Sequence, residues 1–350
     1  MKKLLSGKNI SALYYAASYL RLARPRFYLN WKRKHLLGGL EKRKDYDYIM
    51  DRVDYYCRLG DLSAEEKSLL REKQHPVCED KILHPKVYYL DSMRYTKYFP
   101  AQKRWCYCFG DVTHIPDVPS IVKSRPICYE GEDASLNTSL HNTGDLQGIV
   151  DNRNSVIMKL ERMRHFVFLD DSKPWGDKLD KVIFRGAIGQ NGNAKNFKRH
   201  RYVFMERYFD HPMCDLGEVK EGGAYVNEAW LKPKITLYDH LNYKFIMSLE
   251  GNDVASNLKW VMSSNSIAVM PRPKYETWFM EGRLIPNYHY IQIKDDYSDL
   301  EERLTYFINH PDEAAAIIEH AHEWVDQFRD SGRETIISLL VLDKYFRCTQ

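Results

Sequence analysis

Three clusters in this sequence carry side chains of the type and spacing needed to handle a phosphorylated ligand. The first follows an apolar run: Phe184, Arg185, Gly186 and Gly189 lead to Gly192, and Arg199 and Arg201 open the next stretch. Glycines directly after a strand let backbone N–H groups approach a diphosphate with no side chain between. The spacing is G-x-x-G-x-x-G rather than the dinucleotide G-x-G-x-x-G, and no P-loop G-K-[ST] is present. An ordinary strand-to-helix turn explains these glycines equally well. Cations at a helix N-terminus oppose its dipole, however, so Arg199 and Arg201 are better placed there if an anion sits among them.

The second cluster runs from Glu250 to Trp260. A strand ends at Gly251, and Ser256 or Asn257 begins a helix that carries Lys259. Such a helix start with a nearby ammonium is a receptor for a leaving diphosphate. The plainer alternative makes Asp253 and Ser256 helix caps and Lys259 a solvated side chain. The third cluster is Gly110, Asp111, His114 and Pro116. An Asp and a His at the end of a buried strand can serve as general base toward a bound hydroxyl; they also serve as a turn-former and a surface ring. No metal site is expected. Asp45 and Asp47 lie in a basic helical stretch, the pairs Asp170–Asp171 and Asp295–Asp296 lack ligating companions, and no G-x-S-x-G elbow occurs.

The elements that must hold these residues follow from length and pattern. At 350 residues the chain suggests two domains, given roughly 100–200 residues per domain. A content of 44% hydrophobic and 29% charged residues is globular rather than disordered. No apolar run approaches the ~18 residues of a membrane span. Lys8, Asn9 and Ser11 break the N-terminal apolar stretch before it reaches signal-peptide length. Cysteines 57, 78, 106, 108, 128, 214 and 348 form no C-x-x-C pair, which fits a reducing compartment. A cytoplasmic protein is the expectation.

Residues 10–75 read mostly as helix, with a capping box opening at Ser63. Residues 105–110 read as one buried strand, and 135–151 as a polar functional loop. Beyond residue 180 short apolar strands (181–186, 245–250, 266–270, 288–293) alternate with helices (198–209, 256–263 and those after Ser298 and Pro311). That alternation predicts a parallel sheet covered on both faces, with its ligand at the C-terminal strand ends. The linker expected between the halves lies near 170–180.

Charge is placed unevenly. Residues 1–45 hold twelve Lys/Arg against Glu41 and Asp45, a net of +10, which leaves 4 − 10 = −6 for the remainder. Tyr14, Tyr15, Tyr19, Phe27, Tyr28 and Trp31 punctuate this stretch. Basic residues with interfacial aromatics fit an anionic membrane surface, and a solvated helical face fits as well. No nucleic-acid module follows, so nucleic acid is not an expected partner.

Taken in order, Gly110–Asp111, Pro116–Pro119, Ser124–Arg125, Arg164–His165–Phe166, Phe184–Arg185–Gly186, Arg201, Asp239 to Phe245, Glu250–Gly251, Ser256 to Lys259, Trp278–Phe279 and His289–Tyr290 resemble the family 90 glycosyltransferases over roughly residues 105–330. The resemblance implies an α/β fold of GT-B type. Two Rossmann-like domains would face a cleft, with the basic helical segment 1–45 as an extension, an acceptor-side domain at 46–172 and a nucleotide-sugar domain at 173–330. A C-terminal helix at 331–350 would pack back on the N-terminal domain. It further implies inverting, metal-independent transfer of a sugar from UDP to a glycan or lipopolysaccharide-core acceptor, with no cofactor beyond the UDP-sugar.

Donor binding is then expected at Arg185, Gly186, Gly189, Arg201, Gly251, Asp253, Ser256, Asn257 and Lys259, and acceptor-side contacts at Ser124, Arg125, Arg164 and His165. The catalytic base falls on Asp111 with His114 close by, although gapless pairing from Pro116 puts His114 on that position. Animal members carry an Arg where this chain has Asn257, and they carry disulfides, so the microbial branch fits better. The rival from another class is a non-catalytic membrane-associated module that binds a nucleotide or glycan. The glycine spacing counts against an NAD-dependent oxidoreductase.

Overall fold

In the second half of the chain, apolar runs too hydrophobic to face water on either side pair into one parallel sheet. A computed structural model describes residues 5–80, 86–129, 151–189, 197–219 and 227–350. The polar loop expected at 135–151 lies outside these residues but for Asp151, as does Gly192. The order across the sheet is Ile291–Gln292, Ile267–Met270, Tyr243–Met247, Leu179–Gly186 and Cys214–Glu218, all parallel. Alternate residues point to opposite faces. Ile183, Ile246 and Ala268 join a core shared with the N-terminal half. Val182, Phe184, Phe245, Met247, Ile267 and Val269 pack on the other side against Phe204, Leu304 and Ile317 from the flanking helices. Burying one such side chain contributes about 1.5–3 kcal/mol.

The chain places its second strand on one side of the first and its third, fourth and fifth on the other. Its direction of travel therefore reverses between Leu179–Gly186 and Tyr243–Met247, and a crevice opens at their carboxyl ends.

A second parallel sheet, Tyr107–Cys108, Ser120–Val122 and Ser155–Ile157, forms the heart of the N-terminal half. The molecule is thus a mixed α/β protein built on parallel sheets. The single strand expected at 105–110 is two strands. Arg104–Trp105 pairs antiparallel with His75–Pro76, whereas Tyr107–Cys108 pairs with Ile121–Val122. The exchange of partners occurs at Cys106, whose N–H donates to the Tyr345 hydroxyl at 2.9 Å. The capping box at Ser63 forms, with Ser63 and Glu66 each accepting the other's backbone N–H. The S-x-x-E spacing of Ser298 and Glu301 predicts a second capping box, but none forms there: the helix starts one residue later, after Asp299, whose carboxylate accepts from the Lys294 N–H.

Helices Ser11–Leu22 and Arg26–Leu37 precede the first sheet and are separated at Pro25, a residue suited to a helix start and not to an interior. The last helix, Ser331–Thr349, lies against helix Tyr46–Tyr56, where its buried Glu334 meets Arg52 at 2.6 Å and Lys159 at 2.5 Å. Trp278 donates to the same carboxylate at 2.7 Å.

One strand crosses between the halves. Tyr275–Thr277 pairs antiparallel with Ser124–Pro126, and at its centre Arg125 meets Glu276 at 2.7 Å with both side chains buried. Glu276→Ala strands a buried guanidinium. We expect a loss of about 3–5 kcal/mol, read as a lowered denaturation midpoint in urea. An unchanged midpoint would show that this pair does not join the halves.

Candidate active site

A cavity of about 650 Å³ occupies the crevice where the strand order reverses. Its floor is the carboxyl ends of the two central strands, Ile183 to Ala187 and Ile246 to Met247, and its opposite wall includes Met163, Arg164 and Val167 from the N-terminal half. The segment before the first helix closes one side. Ser6 accepts from the Leu237 N–H at 2.9 Å, and the Asn9 side chain donates to the Met163 carbonyl at 2.9 Å. The volume falls within the ~300–1,000 Å³ range of small-molecule sites.

Arg201, in the first turn of helix Arg199–Tyr208, lines this cavity. Its Nε donates to the Glu250 carbonyl, one Nη to Ala187 and the other to Leu249, each at 2.9 Å. No carboxylate pairs with it among the described residues. The nearest acid, Glu250, has its carboxyl pushed up to about 8 by burial, against hydrogen bonds from the Lys274 and Tyr275 N–H groups. At neutral pH it is therefore mostly uncharged. Burial pulls the Arg201 guanidinium down to about 10, so it stays charged at neutral pH. A guanidinium held in one orientation by carbonyls, paired with no carboxylate among the described residues and lining a ligand-sized crevice, has the chemistry to receive an anion. Gly186 also lines the cavity, and the Phe184 ring packs so close that a Cβ there would lie 2.6 Å from it. Gly251 lies beside the guanidinium, where a Cβ would come into ordinary contact with Arg201, at 3.5 Å. Ser256 and Asn257 also line the cavity, with Ser256 exposed and the Asn257 side chain donating to the Met247 carbonyl at 3.0 Å.

The loop that receives Arg201 also reaches Asp111. Asn252 donates to the Asp111 carboxylate at 3.0 Å. It stands two residues from Glu250, a separation of at most about 7 Å along the chain. Asp111 is only partly buried, and on its other side it accepts from Lys123. Burial would raise its pKa, but the Lys123 charge and the hydrogen bonds from Lys123 and Asn252 hold it below the usual carboxylate range. Lys123 itself is buried at the meeting point of Asp111, Asp253 (2.7 Å) and Glu161 (3.4 Å). Asp111 and Glu161 belong to the N-terminal half and Asp253 to the second, so one ammonium ties the base candidate to the loop that holds Arg201.

The remaining expected residues are placed as follows. Arg185 lines the cavity, paired with Asp215 at 2.7 Å. Gly189 adopts φ 90°, a left-handed turn that glycine favours. Arg164 is half exposed, bonded to Glu161 at 2.7 Å and 3.5 Å from Asp111, and it lines the cavity from the N-terminal half. His165 is buried against Glu161, and burial pushes its imidazole down to about 4, leaving it neutral. Ser124 and Arg125 are buried and structural in placement: Ser124 exchanges hydrogen bonds with the Val112 backbone, and Arg125 is held by Glu276 and the Tyr55 and Ser155 carbonyls. Lys259 differs from its expected position. Its ammonium is buried and pairs with Glu281 at 2.5 Å, outside the cavity lining. His114 is exposed and lines a separate recess with His75 and Tyr107, so it does not share a cavity with Arg201.

Lys123, Glu161 and Asn252 were missed. Lys123 had a readable signal, a cation directly after the apolar pair Ile121–Val122, because a buried charge must find partners. Glu161 and Asn252 carried none, since their roles come from side chains distant in sequence.

Comparison with known proteins gives one consistent result. The sequence model described as glycosyl transferase family 90 matches residues 168–335. A protein of Dichelobacter nodosus named O-glucosyltransferase LpsA is 39% identical over 298 residues, covering 85% of this chain and 82% of its own length. A more distant relative, "Uncharacterized protein 179R" of Invertebrate iridescent virus 6, is 22% identical over 199 residues, 48% of this chain and 16% of the viral protein.

Proposed function

This chain belongs to glycosyl transferase family 90, and from that premise we propose that it moves a hexose or pentose (glucose, xylose or galactose class) from a UDP-sugar to a glycan hydroxyl. The mechanism is inverting and metal-independent, in a GT-B arrangement, and the acceptor is of lipopolysaccharide-core or capsule type. The relative's name, O-glucosyltransferase, makes glucose the first sugar to test. The observation that carries the reading is Arg201, a guanidinium at the topological crevice that pairs with no carboxylate among the described residues, tied by the loop Leu249–Asn252 to an ionised Asp111.

In this mechanism the UDP diphosphate lies against Arg201 and the backbone around Gly186, with the sugar directed toward Asp111. The acceptor hydroxyl gives its proton to the Asp111 carboxylate as its oxygen bonds to the anomeric carbon. The bond from that carbon to the β-phosphate oxygen breaks, and its electron pair leaves with UDP, where Arg201 offsets the new charge. Attack and departure on opposite faces invert the anomeric centre. Arg164 stands on the side from which the acceptor enters.

A nucleotide-sugar panel in a thermal-shift assay tests the donor. A ligand at about 100 times its Kd adds about 2.7 kcal/mol to the native state, so UDP-sugars should raise Tm where ADP- and GDP-sugars do not. Transfer should persist in chelator. A flat panel, or activity lost in chelator and restored by manganese, contradicts the proposal.

A further inference from the structure

Seven of the thirteen large apolar side chains exposed among the described residues fall within the first 31 positions: Leu5, Leu13, Tyr19, Leu20, Phe27, Tyr28 and Trp31. They are not scattered. On helix Arg26–Leu37, Phe27 and Trp31 are one turn apart, the Tyr28 and Trp31 rings lie 6.1 Å apart, and Leu29 is buried on the opposite face. On helix Ser11–Leu22, Leu13 and Leu20 are seven residues apart and so share a face, opposite Tyr14 and Ser18, which are buried. Exposures of 79% for Phe27, 62% for Trp31 and 72% for Leu20 are far above what a monomer in water gains from.

On the side of helix Arg26–Leu37 that buries Leu29 lies a cation cluster. Arg21, Arg24, Arg94 and Lys97 line one recess of about 80 Å³. None of the four pairs with a carboxylate among the described residues. Lys97 instead donates to the carbonyls of Leu22 and Arg24. Burial lowers the proton affinity of Arg21, and the charges of Arg94, Arg162 and Arg24 lower it further. Like charges converging on a recess repel each other unless an anion occupies it. Lys32 and Lys34 flank the aromatic stripe, also without carboxylate partners among the described residues. A second copy of this surface would bring cations onto cations, whereas an anionic bilayer complements both the charge and the apolar face.

We propose that the N-terminal helix pair docks on an anionic phospholipid surface, with Leu13, Leu20, Phe27, Tyr28 and Trp31 entering the interface and Lys32, Lys34 and the cluster of Arg21, Arg24, Arg94 and Lys97 supplying the positive field that draws it there. The surface is separate from the Arg201 cavity, so it stands whether or not the donor reading does. Because the segment Ser6–Asn9 runs from this helix pair along the cavity wall, docking would hold the cavity near acceptors carried by the same membrane.

Co-sedimentation of the full chain with vesicles tests this. Binding is expected to phosphatidylcholine vesicles containing phosphatidylglycerol, with little to phosphatidylcholine alone, and should weaken as salt rises. Phe27→Ser with Trp31→Ser should lower the apparent affinity at least about tenfold. Arg21→Gln, Arg24→Gln and Arg94→Gln together should lower it about 100-fold. Unchanged circular dichroism and Tm confirm that each variant is folded; if the triple variant is not, the exposed aromatic pair alone decides. Absent binding, equal binding to both vesicles, or affinity unmoved by the aromatic pair overturns the proposal. So does a dimer in light scattering that the aromatic variant converts to monomer, because the face would then be covered by a second copy.

Discussion

Arg201→Ala is expected to lower kcat about 10²–10³-fold, the usual effect of deleting one donor that stabilises charge in the transition state. The expectation rests on its isolation from carboxylates and on three hydrogen bonds that fix its plane at the crevice. Those bonds also give the side chain a structural part, because alanine would leave the Leu249, Glu250 and Ala187 carbonyls unmatched. Two readouts separate the roles. Binding of UDP should weaken together with kcat, and Arg201→Lys should recover part of the rate by restoring a charge without the fork. If the alanine variant keeps its kcat and only Tm falls, Arg201 merely anchors the loop and the donor site lies elsewhere.

The second large effect concerns the base. Asp111→Asn keeps the shape and the contact with Asn252 but removes the proton acceptor. Transfer should fall about 10²–10⁴-fold, with UDP affinity retained. His114→Ala should leave the rate near that of the parent, since His114 is exposed in a different recess. The reverse pair of results would move the base to His114. The pH profile follows from the same geometry. A carboxylate held below its usual pKa is ionised throughout the neutral range, so the rate should fall only in acid, as Asp111 gains its proton. Lys123→Met removes the cation that favours the ionised form, so the Asp111 pKa rises and the acid limb moves toward neutrality. Lys123 touches Asp111 rather than substrate, which makes it a positioning residue. A loss of activity in Lys123→Met with no movement of the acid limb would assign it to stability alone.

The readable part of the candidate site was its backbone. Gly186 after an apolar strand and Arg201 in the next helix stand in a local pattern, and the structure brings both to the same cavity. The least readable part was the choice among cations. In sequence Lys259 and Arg201 look alike, each a cation near the start of a helix after a strand. The structure gives Lys259 a buried partner, Glu281, twenty-two residues on, and gives Arg201 only carbonyls. Arg125 resembled an acceptor-side group for the same reason, and its partner Glu276 is 151 positions away.

Local periodicity settled the alternation of strands and helices after residue 180, the absence of a spanning helix and the basic, aromatic character of the first 45 residues, because each depends only on near neighbours in the chain. The tertiary fold alone decided which strands sit side by side, and hence where the crevice opens. It also decided that Lys123 gathers Asp111, Glu161 and Asp253, and which arginines pair with no carboxylate among the described residues. Coulombic attraction and hydrogen bonding act over a few ångströms of space, and for these groups that space is spanned by residues tens to hundreds of positions apart.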